Sequence, residues 1–134
     1  MAEGRKDDAD KLRFDLLPVR PMQELARVYT IGATKYSDRN WERGLKWGRV
    51  YAALQRHANA WWGGERFDTV DGQDHLASVA WCAMALLEYE RTRPEFDDRP
   101  QILKPNKQDS MDLMDTKLFR PQISGGDDEG AYGV

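Results

Sequence analysis

The sequence predicts an all-α antiparallel helical bundle, on three observations. Apolar residues recur at helical spacing in three separate stretches, the connections between them are short, and no run alternates apolar and polar residues as a half-buried strand would. The first stretch follows KLRFDLLPVRP at 11–21, whose two prolines stop any earlier helix. Pro21 suits a first helical turn, and Met22, Leu25, Ala26 and Tyr29 keep helical spacing up to Gly32, read as a C-terminal stop. The segment 32–49, GATKYSDRNWERGLKWGR, is rich in Gly, Asn, Asp and cations, and reads as irregular backbone with room for one helical turn.

Val50, Ala53, Leu54, His57 and Trp61 form the stripe of the second helix, which Gly63-Gly64 ends; His57 is therefore expected on the inward face. The third helix is expected from about Gln73 to Arg91, with Leu76, Val79, Ala80, Ala83, Leu86 and Leu87 as its core-facing stripe. Trp81 and Cys82 widen that face, so this helix is expected to be the most buried.

Composition divides the chain into a polar N-terminus at 1–10, a helical domain at 11–92 and a Pro- and acid-rich arm at 93–134. The arm reads as an irregular tail, with its last residues mobile. Arg99-Pro100-Gln101-Ile102 recurs as Arg120-Pro121-Gln122-Ile123, which opens the alternative that the arm packs on its own bundle or on a second subunit.

A net charge of −3 favours neither a nucleic-acid polymer nor a membrane surface as partner. No run is long and apolar enough to span a bilayer, and the single Cys82 excludes an intrachain disulfide; both fit a cytoplasmic protein. Three helices bury limited surface, so a homo-oligomer, a dimer or larger, is expected.

Chemistry concentrates around the glycine break in RHANAWWGGERFD, where Arg56, His57, Glu65, Asp68, Asp71, Asp74 and His75 include both histidines of the chain. Carboxylate oxygens suit hard cations such as Mg²⁺ and Mn²⁺, and imidazole adds affinity for Mn²⁺, Co²⁺ or Zn²⁺. Asp71 has the position of a helix cap. Asp74, in the first turn, can complement the helix dipole or face a metal, whereas Glu65 has no capping role after two glycines. A second group, Lys11, Arg13, Asp15, Lys35, Tyr36, Asn40, Trp41 and Arg43, has the donors and rings that phosphate and a base require.

KLRFDLLP, GATKYSDRNW, RHANAWWGGERFD and GQDHLASVAW together resemble the phage and bacterial dATP/dGTP diphosphohydrolase family, related to MazG-like all-α nucleotide pyrophosphohydrolases. The resemblance covers residues 11 to about 90. It implies cation-dependent hydrolysis of dGTP or dATP to the monophosphate and pyrophosphate, with Mg²⁺, Mn²⁺ or Co²⁺ as cofactor. It also implies roles in phages: removal of dATP, or supply of dGMP for synthesis of 2-aminoadenine nucleotides.

Carried onto this chain, the resemblance points to His57, Glu65, Asp68 and His75 as the metal set, Glu65 and Asp68 being catalytic, and the first-turn Asp74 joins the metal candidates on its position alone. Lys11, Arg13, Asp15, Lys35, Tyr36, Asn40, Trp41 and Arg56 would hold the substrate. The chain departs from the family pattern at Ser78, where relatives often have a second histidine, and lacks an acid before Glu65 on the preceding helix. Two other readings stand beside it: a different metal phosphohydrolase releasing phosphate or tripolyphosphate, and a non-catalytic nucleotide-binding or host-interaction protein.

Overall fold

A computed structural model describes residues 2–100. Its elements are three α-helices, α1 (Val19–Lys35), α2 (Trp47–Trp62) and α3 (His75–Thr92), with 3-10 turns at Phe14–Leu16, Asn40–Arg43 and Pro94–Phe96. Among the described residues the only β pairing is one isolated antiparallel bridge, Phe67 to Asp74. The all-α bundle is therefore the fold, and α3 packs against both other helices.

α1 passes through Gly32 and ends at Lys35, since neighbouring residues supply the helix bonds that one glycine weakens, at a cost of ~1 kcal/mol. The expected helical turn in the connection is the 3-10 turn Asn40–Arg43, closed by Gly44 at φ +99°. A Cβ at Gly44 would meet the Phe96 ring at 2.6 Å, so both the backbone angle and the close approach require glycine there.

α2 and α3 run antiparallel. Trp47, at the start of α2, donates through Nε1 to the carbonyl of Arg93 beyond the end of α3 at 3.2 Å, while His57 meets His75 at the opposite end. Trp47, Val50, Cys82, Ala85 and Tyr89 form the core, with Trp41, Leu45 and Phe96 packed around it. Burial of this kind contributes ~1.5–3 kcal/mol per large side chain.

α3 carries most of the buried residues, yet its buried face is His75, Ser78, Cys82, Ala85 and Tyr89. The expected stripe looks elsewhere: Leu76, Ala83 and Leu87 are exposed, and Val79, Ala80 and Leu86 are half-buried. The reason is physical. α3 is apolar on nearly every side, so periodicity does not single out the side that faces α1 and α2.

Arg93 to Asp98, at the start of the arm by composition, pack back on the bundle. Asp98 Oδ1 accepts from the Gly48 N–H at 2.7 Å, and Arg93 Nε donates to the carbonyls of Glu42 and Arg43, both at 3.1 Å. Gln101 onwards, including the second RPQI copy, lies outside the described residues. No helix among the described residues is long and apolar enough to cross a membrane.

Candidate metal centre and cleft

The loop between α2 and α3 folds back so that an acid from it meets histidines from both helices. Gly64, at φ +102°, lets the chain leave α2. From there His75 N–H donates to the Arg66 carbonyl at 3.1 Å, Asp68 N–H to the Gln73 carbonyl at 2.7 Å, and Gly72 N–H to the Asp68 carbonyl at 2.8 Å. Gly72 takes φ +72°, a conformation that suits glycine, at the turn of this small hairpin. Asp68 Oδ1 accepts from the Val70 N–H at 2.7 Å, an Asx turn that leaves Oδ2 facing His57 Nδ1 at 3.8 Å.

Two imidazoles complete the cluster. His57 Nδ1 and His75 Nδ1 lie 2.9 Å apart, and the ligand atoms of His57, Asp68 and His75 all fall within 4.8 Å of one another. On its other nitrogen, His75 Nε2 lies 3.1 Å from Glu65 Oε1. The carboxylate can only accept, so the proton sits on Nε2 and the Nδ1 lone pair points into the cluster. A proton on His57 Nδ1 would bridge the two rings, and a cation bound there would take that proton's place.

The donor set fits a cation. Two nitrogen ligands at ~2.1 Å from a metal lie about 3.0 Å apart at a right angle and about 3.4 Å apart at the tetrahedral angle, close to the observed 2.9 Å. Burial, followed by the neighbouring His75, holds the His57 imidazolium below its ordinary range; Asp68 and Asp71 push it upward, and Arg56 lowers it further. The lowered value favours neutral imidazole, the form that ligates metal. Among the described residues, Gln73 Oε1 is the one buried side-chain polar atom without a hydrogen-bond partner. Asp71 Oδ2 accepts from Gln73 Nε2 at 3.1 Å, which fixes the amide and leaves its carbonyl oxygen awaiting a donor or a cation.

The other acids of the loop sit elsewhere. Asp74 is the N-cap of α3, its Oδ1 accepting from the Leu76 N–H at 3.2 Å, while Oδ2 lies 3.9 Å from Arg66 Nε. Asp71 accepts from the Gln73 N–H at 2.9 Å. Glu65 reaches the cluster through His75 rather than directly.

His57, Asp71, Gln73 and Ser78 line one end of a cleft of about 940 Å³ that continues past Trp81, Tyr29 and Trp41 to the C-terminal end of α1. That volume lies in the range of small-molecule sites, ~300–1,000 Å³. Of the predicted substrate residues, Lys35, Tyr36, Asn40 and Trp41 line it. Lys35 Nζ lies 5.4 Å from the Tyr36 ring centre, and the Trp41 ring packs edge-on to Tyr29 at 5.8 Å.

Lys11, Arg13, Asp15 and Arg56 are exposed and do not line the cleft; Arg13 Nη2 pairs with Asp15 Oδ2 at 2.6 Å. Arg39, Gln73 and Trp81 line it without having been expected at the site from the sequence. Arg39 had a signal, its place between Tyr36 and Asn40, and its φ of +57° is the one positive value among the described non-glycine residues. Gln73 had none, because its role depends on the loop that returns it to Asp68.

Fold and cluster together define the class: an all-α protein with a candidate cation site, one of whose side chains, His57, lines a cleft of small-molecule size. Residues 1–99 match the family described as dATP/dGTP diphosphohydrolase, N-terminal, and the chain belongs to that family. It is 35% identical over 96 residues to a dATP/dGTP diphosphohydrolase of Salmonella phage PMBT28, a match covering 72% of this chain and 33% of the relative. The chain thus spans about a third of the length of the curated relative it matches. No solved structure matches it.

Proposed function

We propose that the chain hydrolyses dATP or dGTP to the deoxynucleoside monophosphate and pyrophosphate, with a divalent cation held by His57, Asp68 and His75. The observation that carries this reading is the convergence of those three side chains, of which His57 lines one end of the cleft. The similarity to a phage dATP/dGTP diphosphohydrolase supports the substrate and reaction. Two nitrogens and one oxygen suit Mn²⁺ or Co²⁺ better than Mg²⁺, which prefers oxygen alone. When bound, such a cation would offset triphosphate charge and lower the pKa of a bound water.

The chain's own residues supply the rest. Glu65 fixes the His75 tautomer and ring, acting as a positioning residue. Lys35 and Arg39 provide charge for phosphate oxygens, Asn40 a polar edge for sugar or base, and Trp41 and Tyr36 apolar faces for stacking. Self-association into a dimer or larger assembly belongs to this proposal, because many large apolar side chains are exposed on the described chain. In a phage setting the reaction would remove dATP or supply dGMP.

The test is a panel of dNTPs and NTPs with Mg²⁺, Mn²⁺ or Co²⁺, with every phosphate-containing product separated. Monophosphate with equimolar pyrophosphate from purine dNTPs, lost in Asp68→Asn, is expected. The two-histidine, one-aspartate set also favours a second reading, a phosphohydrolase releasing phosphate or tripolyphosphate, and those products would replace the first proposal. No turnover with any nucleotide and metal would leave a nucleotide-binding protein.

A further inference from the structure

Gln73 carries the one buried side-chain polar atom among the described residues that has no hydrogen-bond partner, its Oε1. The amide is not free to turn. Its Nε2 donates to Asp71 Oδ2 at 3.1 Å, while the Gln73 backbone N–H donates to Oδ1 of the same carboxylate at 2.9 Å. A flipped amide would set two acceptors against each other, so Oε1 is kept away from Asp71. Gln73 lines the cleft beside His57, Asp71 and Ser78. A buried acceptor left unpaired costs free energy, and the exposed Asp71 has solvent for its own oxygens if the amide is removed. The fold by itself thus gains nothing from that oxygen.

The chemistry of the oxygen narrows its partner. It can only accept, and so can the oxygens of an ionised triphosphate, which excludes a phosphate contact. The groups proposed for sugar and base, Asn40, Tyr36 and Trp41, lie toward the other end of the cleft. What remains for a hydrolase at the His57 end is an O–H of water. We propose that Gln73 is a catalytic residue that orients the hydrolytic water, its Oε1 accepting one O–H, and that Asp71 is its positioning residue. The step balances without a protein nucleophile. The oxygen of water bonds to the attacked phosphorus, the bond bridging the α- and β-phosphates breaks to give monophosphate and pyrophosphate, and the protons of the water pass to solvent and to the product phosphates. An amide takes no proton; it fixes the direction in which the attacking lone pair points. Because Oε1 is closed to bulk solvent, the water it holds is one enclosed with the substrate.

This inference rests on the proposed reaction. Steady-state hydrolysis of a purine dNTP is measured for the wild type, Gln73→Met, Asp71→Asn and the exchange that combines Asp71→Asn with Gln73→Glu. Mn²⁺ binding, read by electron paramagnetic resonance, and urea unfolding are measured on the same samples. Gln73→Met keeps the length of the side chain without the acceptor. Its kcat is expected to fall about 10–100-fold, with KM and Mn²⁺ affinity little changed and the urea midpoint unmoved or raised. Asp71→Asn turns a donor toward Gln73, reverses its amide and is expected to lose kcat similarly. The exchange again sets a donor against an acceptor and leaves an oxygen in the place of Oε1, so it is expected to recover most of the loss.

Unchanged kcat in Gln73→Met would overturn the inference, as would an exchange no more active than Asp71→Asn. A raised KM with kcat kept would make Gln73 a contact to the nucleotide, a fall in Mn²⁺ affinity would make it a cation ligand, and a lowered urea midpoint would make it a structural residue; each result displaces the role proposed. A wild type that hydrolyses no dNTP would overturn the proposed reaction and this inference with it, so the wild-type assay tells the two failures apart.

Discussion

The two ends of α3 are made of different material. Its first turn holds His75 against His57 and Glu65, with Asp68 and Asp74 beside it, all held in place by polar bonds. Its last turns hold Ala85 and Tyr89, both fully buried, under Trp41, Trp47 and Phe96. Tyr89 Oη donates to the Trp41 carbonyl, and Arg93 beyond it ties down the 3-10 turn that ends in Gly44. One helix thus spans a binding end and a folding end. The difference teaches that burial and backbone bonds anchor α3 at its C-terminal end, while its N-terminal end brings His75 to His57, Asp68 and Glu65.

That contrast breaks if damage at one end produces the symptom of the other. The largest effect is expected from Tyr89→Ala, which empties a fully buried ring site and should cost about 3–5 kcal/mol of stability. Urea unfolding at low temperature measures it; a loss below ~1 kcal/mol would mean the folding end is not where stability resides. Next comes Asp68→Asn, which keeps the Oδ1 bond to Val70 and should lower kcat by about 10²–10³-fold with the urea midpoint nearly unmoved.

Glu65→Gln sharpens the contrast further. If Glu65 acts by orienting His75, divalent-cation affinity should fall about 10–100-fold rather than vanish, as calorimetry would show. A complete loss would instead make Glu65 a direct ligand. The smallest effect concerns Cys82, between the two ends, whose thiol is pushed up to about 11, first by burial. A raised pKa keeps the proton on sulfur as pH rises, so at pH 8 only about 10⁻³ of the thiol is thiolate. A colorimetric disulfide reagent should therefore react only after denaturant is added, and prompt labelling of the native chain would show the middle of α3 to be open.

How much of this was legible in sequence follows the same division. The three helices and the single 3-10 turn between α1 and α2 were visible, because Gly, Pro and apolar spacing act locally. The inward face of α3 was not, because a helix apolar on every side has no preferred direction until its neighbours are placed. At the site, His57 and His75 could be nominated because they are the only histidines and both border the acidic loop. The separate positions of Asp68, Glu65 and Asp74 depend on the hairpin closed by Asp68, Gln73 and Gly72, a pattern of backbone bonds that spacing alone does not encode. Likewise, Lys11 and Arg13 carry suitable chemistry for phosphate and Asp15 for a sugar or base edge, but chain path, not composition, decides which side chains line a cleft.

The central claim is that His57, Asp68 and His75 hold one divalent cation, and Mn²⁺ binding tests it most directly. Chelator-treated protein is titrated with Mn²⁺ while electron paramagnetic resonance reads the free ion, in the wild type, in His75→Ala and in Asp68→Asn. The account predicts a saturable tight site in the wild type that is lost or strongly weakened in both variants, with helical content retained. Equal Mn²⁺ binding by all three proteins would contradict it and move the metal away from this end of α3.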